Sequence, residues 1–200
     1  MEGKDKIKLV IIGLILVAIG AFALGYNIYM GRYYNLLWFC YIGLVLLGLG
    51  AIFRNGDLIM TQLNILTIPL LIWIVDFGYY YFFNRPLFGI SNYFFEPSYG
   101  AIDKFISIQH LFTLPLAFYA LSIIKIREID MWSWSFGQAV LTYVITLLFV
   151  SAAYNINYIN SISFLTIDLG RYYPLAWMGV AFIGVYATNA VIAALDVFNR

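Results

Sequence analysis

The chain has 200 residues, of which 64% are hydrophobic and only 10% charged, whereas soluble domains run at roughly 45–50% apolar and about 25% charged. Its net charge of +1, from 11 basic and 10 acidic residues, excludes the basic stripe that a nucleic-acid groove needs. A single cysteine excludes an internal disulfide, a CxxC redox pair and a cysteine-rich zinc site.

The apolar residues fall in long blocks. A hydrocarbon core of about 30 Å takes about 20 of them per helix, and six segments qualify. The first, 9–29, follows Lys4, Lys6 and Lys8. It contains Ala21-Phe22-Ala23, which mimics a signal-peptidase site, but apolar character continues to Tyr29 and favours an uncleaved span. The second, 34–53, carries Cys40, and the third, 58–83, carries Pro69 and Asp76. The fourth, 104–124, holds Gln109, His110 and Pro115. The fifth and sixth are 132–154 and 173–198. Polar or Gly/Pro punctuation separates them, and no repeat or soluble domain is visible. The expected fold is all-α: a polytopic integral membrane protein whose residues 1–200 form one transmembrane domain of six helices.

Cytoplasmic loops retain Lys and Arg. Lys4, Lys6, Lys8, Arg54, Lys125, Arg127 and Arg200 lie on one side, and Arg32, Arg85, Lys104 and Arg171 on the other. Seven against four predicts both termini in the cytoplasm. Aromatics, 20% of the chain, crowd the outer boundary at Tyr33-Tyr34, 79–83, 93–95 and Tyr172-Tyr173, where amphipathic rings settle at headgroup level. Two outer stretches do not span, 84–103 and 155–172. The first is too apolar for an exposed loop and reads as an interfacial anchor or a lid.

Polar groups inside a span are costly and mark function by default. At 1.5 Å per residue, Cys40, Asp76 and His110 each lie about 9–10 Å below the outer surface. Asn155 and Asn157 close the fifth span on the same side, while Gln62, Asn64, Gln138 and Asn189 occupy the inner half. Ser107, His110 and Thr113 line one side of the fourth span at i, i+3 and i+6. A thiol becomes a nucleophile beside an imidazole base, a carboxylate can orient that imidazole, and amides can donate to an oxyanion. Cys40, His110, Asp76 and Asn157 supply those four roles. Plainer readings compete: Cys40 as packing, His110–Asp76 as an interhelical pair, and Asn155 and Asn157 as a cap and turn. Cys40, Asp76 and His110 have metal-ligand chemistry but no diagnostic spacing.

Asn35-Leu-Leu-Trp-Phe-Cys40-Tyr-Ile-Gly, His110-Leu-Phe-Thr-Leu-Pro115, and Asn155-Ile-Asn157-Tyr158 followed by Tyr173-Pro174 resemble the motifs of YwaF-like six-helix membrane proteins. Those are relatives of a cysteine-dependent phospholipid acyltransferase and, distantly, of the androgen-induced lipid hydrolases. The likeness spans the second to sixth helices. It departs at Trp38, where the family has a histidine two residues before its cysteine. It implies Cys40 as nucleophile and His110 as base.

The leading expectation is therefore a lipid acyltransferase or thiol-dependent hydrolase working in the outer leaflet. Cys40, His110, Asp76 and Asn157 form its catalytic set, and Asn155, Tyr158, Tyr80 and Phe94 contact the lipid. It requires no cofactor and no metal, its substrate is a membrane lipid, and no protein partner is legible. Two alternatives stand beside it. One is a proton-coupled transporter or lipid- or ion-binding protein built on an Asp76–His110 pair. The other is a structural subunit whose small-residue faces, such as Ala21-x3-Gly25, dock partner helices.

Overall fold

Each apolar block becomes a helix, and its ends are set by the polar residues that flank it. The computed structural model describes residues 3–161 and 169–199, and every regular element among them is helical. These are α1 (Gly3–Tyr29), α2 (Phe39–Ile52), α3 (Gly56–Phe83), α4 (Asn92–Phe95), α5 (Ala101–Ser107), α6 (Gln109–Ile124), α7 (Trp132–Phe149) and α8 (Tyr173–Ala194). Asn55 caps α3 by accepting from the Leu58 N–H at 3.0 Å, and Asn84, left-handed at φ 52°, ends it.

Five stretches are long and apolar enough to cross a membrane: Gly3–Tyr29, Gly56–Phe83, Ala101–Ile124, Trp132–Phe149 and Gly170–Ala194. The second expected span is shorter than its sequence block. Residues Tyr33–Leu37 form a 3-10 turn, and α2 has 14 residues, about 21 Å of helix. The fifth also stops early, at Phe149, because the Ser151 hydroxyl accepts from the Ala153 N–H and starts a separate turn at Ala152–Tyr154. The sixth ends at Ala194 and continues as a 3-10 turn at Asp196–Phe198.

Leu9, Leu16, Leu44, Leu47, Met60 and Leu121 are fully buried where α1, α2, α3 and α6 meet. Helices α1 and α2 touch at glycines. A Cβ on Gly48 would lie 2.6 Å from the Gly13 carbonyl oxygen, and one on Gly20 would lie 2.8 Å from Val45. The outward Ala21/Gly25 face is not part of this contact.

The turns sort to two ends, as alternating spans require. At one end Asp57 accepts from the N–H groups of Arg127 (2.9 Å) and Glu128 (3.3 Å), Ile126 N–H donates to the Phe198 carbonyl, and Lys125 donates to the Val197 carbonyl. Residues 30–38, 84–103 and 150–161 gather at the other.

The amides Gln62, Asn64, Gln138 and Asn189 interlock α3, α7 and α8. Gln62 and Gln138 exchange hydrogen bonds at 2.8 and 3.1 Å, and Asn64 donates to Ser135 and to Asn189 at 3.1 and 3.0 Å. Between membrane helices such bonds average about 0.6 kcal/mol and reach about 1.7. A double-mutant cycle on Gln62→Leu and Gln138→Leu, read by thermal unfolding in detergent, should return a coupling in that range.

Candidate functional site

Asp76 builds the roof of the site. It lies in the last part of α3 with 0% exposure, and a buried carboxylate must be hydrogen-bonded. Its Oδ1 accepts from the N–H groups of Leu87, Phe88 and Gly89 at 3.1, 2.6 and 3.1 Å. Its Oδ2 accepts from the N–H and the hydroxyl of Ser91, both at 2.7 Å. Gly89, at φ +80°, lets the chain curl around the carboxylate. This corrects the expected role of Asp76 as orienter of His110: no hydrogen bond or ion pair joins the two among the described residues. The loop offers five converging donors, and an imidazole could offer one. The Asp76–His110 pair required for proton coupling is likewise not formed.

The stretch after Asn84 is thus a folded cap, held down further by rings. Tyr80 stacks on Phe95 at 4.0 Å, Phe94 meets Phe77 edge-on at 5.0 Å, and the Trp73 indole N–H donates to the Tyr93 hydroxyl at 2.9 Å. Tyr80 and Phe94 therefore fasten the cap to α3 and do not border the cavity beneath it, contrary to their expected place against a lipid.

That cavity measures about 630 Å³, within the roughly 300–1,000 Å³ typical of ligand pockets. Arg32 and Asp103, which pair at 2.8 Å and are both largely buried, border it. Cys40, Trp73, His110 and Tyr158 wall it, and it reaches Asn64. Burial pushes the Tyr93 and Tyr99 phenols, which border it from the cap, above the usual tyrosine range, so both stay protonated.

His110 opens α6. Its Nδ1 lies 2.6 Å from the Ser107 carbonyl oxygen. A carbonyl only accepts, so Nδ1 carries the proton and Nε2 holds a lone pair. The ring stacks on Trp73 at 4.5 Å and 24°, which fixes its plane. Ser107, His110 and Thr113 are all buried, as their spacing predicts.

Cys40 stands in the first turn of α2, half-buried and unoxidised. The turn before it is tied by a chain of amides: Asn35 donates to Asn27 at 2.7 Å and accepts from the Trp38 indole at 3.2 Å. Cys40 and His110 border one cavity, yet no hydrogen bond joins them.

Asn157 is committed elsewhere than to an oxyanion. Its Oδ1 accepts from the Phe39 N–H at 3.0 Å and its Nδ2 donates to the Leu37 carbonyl at 2.7 Å. Helix α2 lacks a capping side chain of its own, and Asn157 satisfies one of its orphan donors from a distant segment. The backbone there is held left-handed, with Asn157 at φ 53° and Tyr158 at φ 55°, while the Asn157 carbonyl accepts from the Trp177 indole at 3.1 Å. Tyr158 borders the cavity edge-on to Trp38. Asn155 closes its own loop, bonding Ser161 and the Asn160 N–H, and is not in the wall, contrary to its expected contact with the lipid. Of the eight candidates, Cys40, His110, Asn157 and Tyr158 share the cavity. Asp76, Asn155, Tyr80 and Phe94 shape its surroundings.

Asn157→Ala should destabilise the protein by about 1–3 kcal/mol, since it strands the Phe39 N–H and the Leu37 carbonyl. Loosening the start of α2 should also speed maleimide labelling of Cys40. Asn157→Gly, which tolerates the left-handed backbone, should restore less than half of the lost stability.

Trp73, Asn64 and the Arg32–Asp103 pair border the cavity without having been expected there. Trp73 precedes Asp76 by three residues, one turn along the same face, a spacing that could have singled it out. Arg32 and Asp103 are 71 positions apart, and nothing in their local sequence links them. Among the described residues no three His, Cys, Asp or Glu side chains cluster as metal ligands. The chain matches no protein-family model, no curated protein and no solved structure.

Proposed function

We propose that this is a multi-pass integral membrane protein, with both termini cytoplasmic, that binds a membrane lipid in the cavity of its outer half. The observation that carries this reading is the cavity itself, apolar and aromatic over most of its wall, with its few polar groups at defined levels. Exposed apolar residues along its wall support it. Ile68 on α3 and Val180 on α8 border the cavity and are 38% and 64% exposed. On this reading a lipid chain enters between these helices without leaving the hydrocarbon.

The test is lipid retention. The protein purified in detergent should carry co-purifying lipid, countable by native mass spectrometry. Ile68→Trp with Val180→Trp should block that entry and cut occupancy at least tenfold while leaving the helical circular dichroism unchanged. Equal occupancy in the two proteins would overturn the reading.

The shared wall of Cys40 and His110 favours a second reading, the acyltransferase or hydrolase. In it the Cys40 sulfur adds to the ester carbonyl of the bound lipid as Nε2 of His110 takes the thiol proton, and the alcohol leaves with that proton. Lipid binding must then bring sulfur and ring together, since no hydrogen bond joins them beforehand. Full turnover of a labelled phospholipid by Cys40→Ala or His110→Ala would end this version and leave lipid binding standing.

A further inference from the structure

We infer that the cavity takes an uncharged lipid alcohol, such as a fatty alcohol, a prenol or a diacylglycerol, whose hydroxyl donates to Nε2 of His110. The inference rests on the lipid-binding reading above and names the class of ligand for that same cavity.

Three observations converge on it. First, the charges bordering the cavity are already matched. Arg32 donates through one terminal nitrogen to Asp103 at 2.8 Å while its Nε is buried without a partner, the Asp76 carboxylate is consumed by the cap, and Lys104 sits over the Phe94 ring outside the wall. A phosphate or carboxylate headgroup could meet the free Arg32 Nε, but it would set two anions against one guanidinium beside Asp103, and burying that excess charge is unfavourable.

Second, the wall presents acceptors that lack donors. The Ser107 carbonyl fixes the His110 tautomer, so Nε2 can only accept, and no described residue donates to it. The ring is more than nine-tenths buried and has no ionic partner, and a charge there would be costly. Asn64, only 2% exposed, repeats the pattern. Both its donor hydrogens are used, and its Oδ1 is buried without a partner. At His110 Nε2 and Asn64 Oδ1 a hydroxyl supplies the missing donor, whereas an ester, an ether or an ionised acid brings only acceptors that neither position can use.

Third, the acceptor is preorganised. The stack on Trp73 and the bond to Ser107 leave the imidazole little rotational freedom, so little entropy is lost on binding. Around it Trp38, Trp73 and Trp177 give the alkyl chain an apolar lining.

The experiment uses the full chain in phosphatidylcholine nanodiscs at pH 8, with deuterated probes quantified by native mass spectrometry. The probes are oleyl alcohol, its methyl ether, oleic acid and 1-octadecene. Wild type should hold oleyl alcohol at least tenfold more tightly than each of the other three. His110→Phe keeps a ring against Trp73 and should bind the alcohol and the hydrocarbon equally. The methyl-ether comparison needs no variant, so it stands if His110→Phe fails to fold. Methyl ether or oleic acid binding as tightly as the alcohol would overturn the inference and leave lipid binding intact, as would an undiminished preference for the alcohol in His110→Phe. Retention of none of the four chains would overturn the lipid-binding reading as well.

Discussion

Asp76→Ala should be the most damaging single substitution in the chain, costing about 3–5 kcal/mol and releasing the cap over the cavity. The carboxylate collects four backbone N–H groups and one hydroxyl. Hydrogen bonds to a charged group contribute about 1.5–3 kcal/mol each, and a buried donor left without its partner costs about 1–3 kcal/mol. The sum exceeds the forecast because the loop can swing toward water and recover part of the loss. Asp76→Asn should be nearly as harmful, since its amide N–H₂ would face N–H donors where the carboxylate offers oxygen. Hydrogen exchange at Leu87, Gly89 and Ser91 should accelerate together, by at least a hundredfold, while exchange in α1 and α2 stays slow. Unchanged protection of those amides would contradict the assignment of Asp76 as the anchor of the cap. Lipid occupancy should fall in the same variants.

The second large effect is expected at Gly48. A Cβ there would stand 2.6 Å from the Gly13 carbonyl oxygen and 2.8 Å from the Val17 backbone nitrogen. Neither atom can rotate away, so α1 and α2 must separate. Overpacking of this kind costs about 1–3 kcal/mol, and Gly48→Val should reach or exceed the top of that range. Gly25→Ala is the control, since a Cβ there meets nothing within 4 Å, and it should change the melting temperature by less than about one degree, in keeping with the small effect of surface substitutions. Helix association in lipid depends on such close backbone approach, because apolar side chains gain nothing by leaving one hydrocarbon for another.

Much of the architecture was legible from the letters. Apolar block length announces helices, and the all-helical fold with five stretches long enough to cross a membrane agrees with that reading. Boundaries were less legible at α2 and α7, because Tyr34, Leu36, Leu37, Ala152 and Ala153 are as apolar as the helices they adjoin. Their 3-10 and extended backbone follows from Asn157, Ser151 and Asn35 bonding the chain there. The same limit applies to the site. Depth along each helix predicts one level for Cys40, Asp76 and His110, but depth says nothing of azimuth or of which partner a side chain finds. Asp76 turned to the cap, and Cys40 and His110 turned to the cavity.

What the sequence by itself determined is therefore what depends on one segment at a time: helix formation and the buried stripe of Ser107, His110 and Thr113. Tertiary structure alone decided the pairings across long separations, Asn157 with the start of α2, Arg32 with Asp103, Asn64 with Asn189. Periodicity reports which face of a helix avoids lipid or water. The identity of the group that meets that face is set by how distant segments are brought together in space, and no local pattern encodes it.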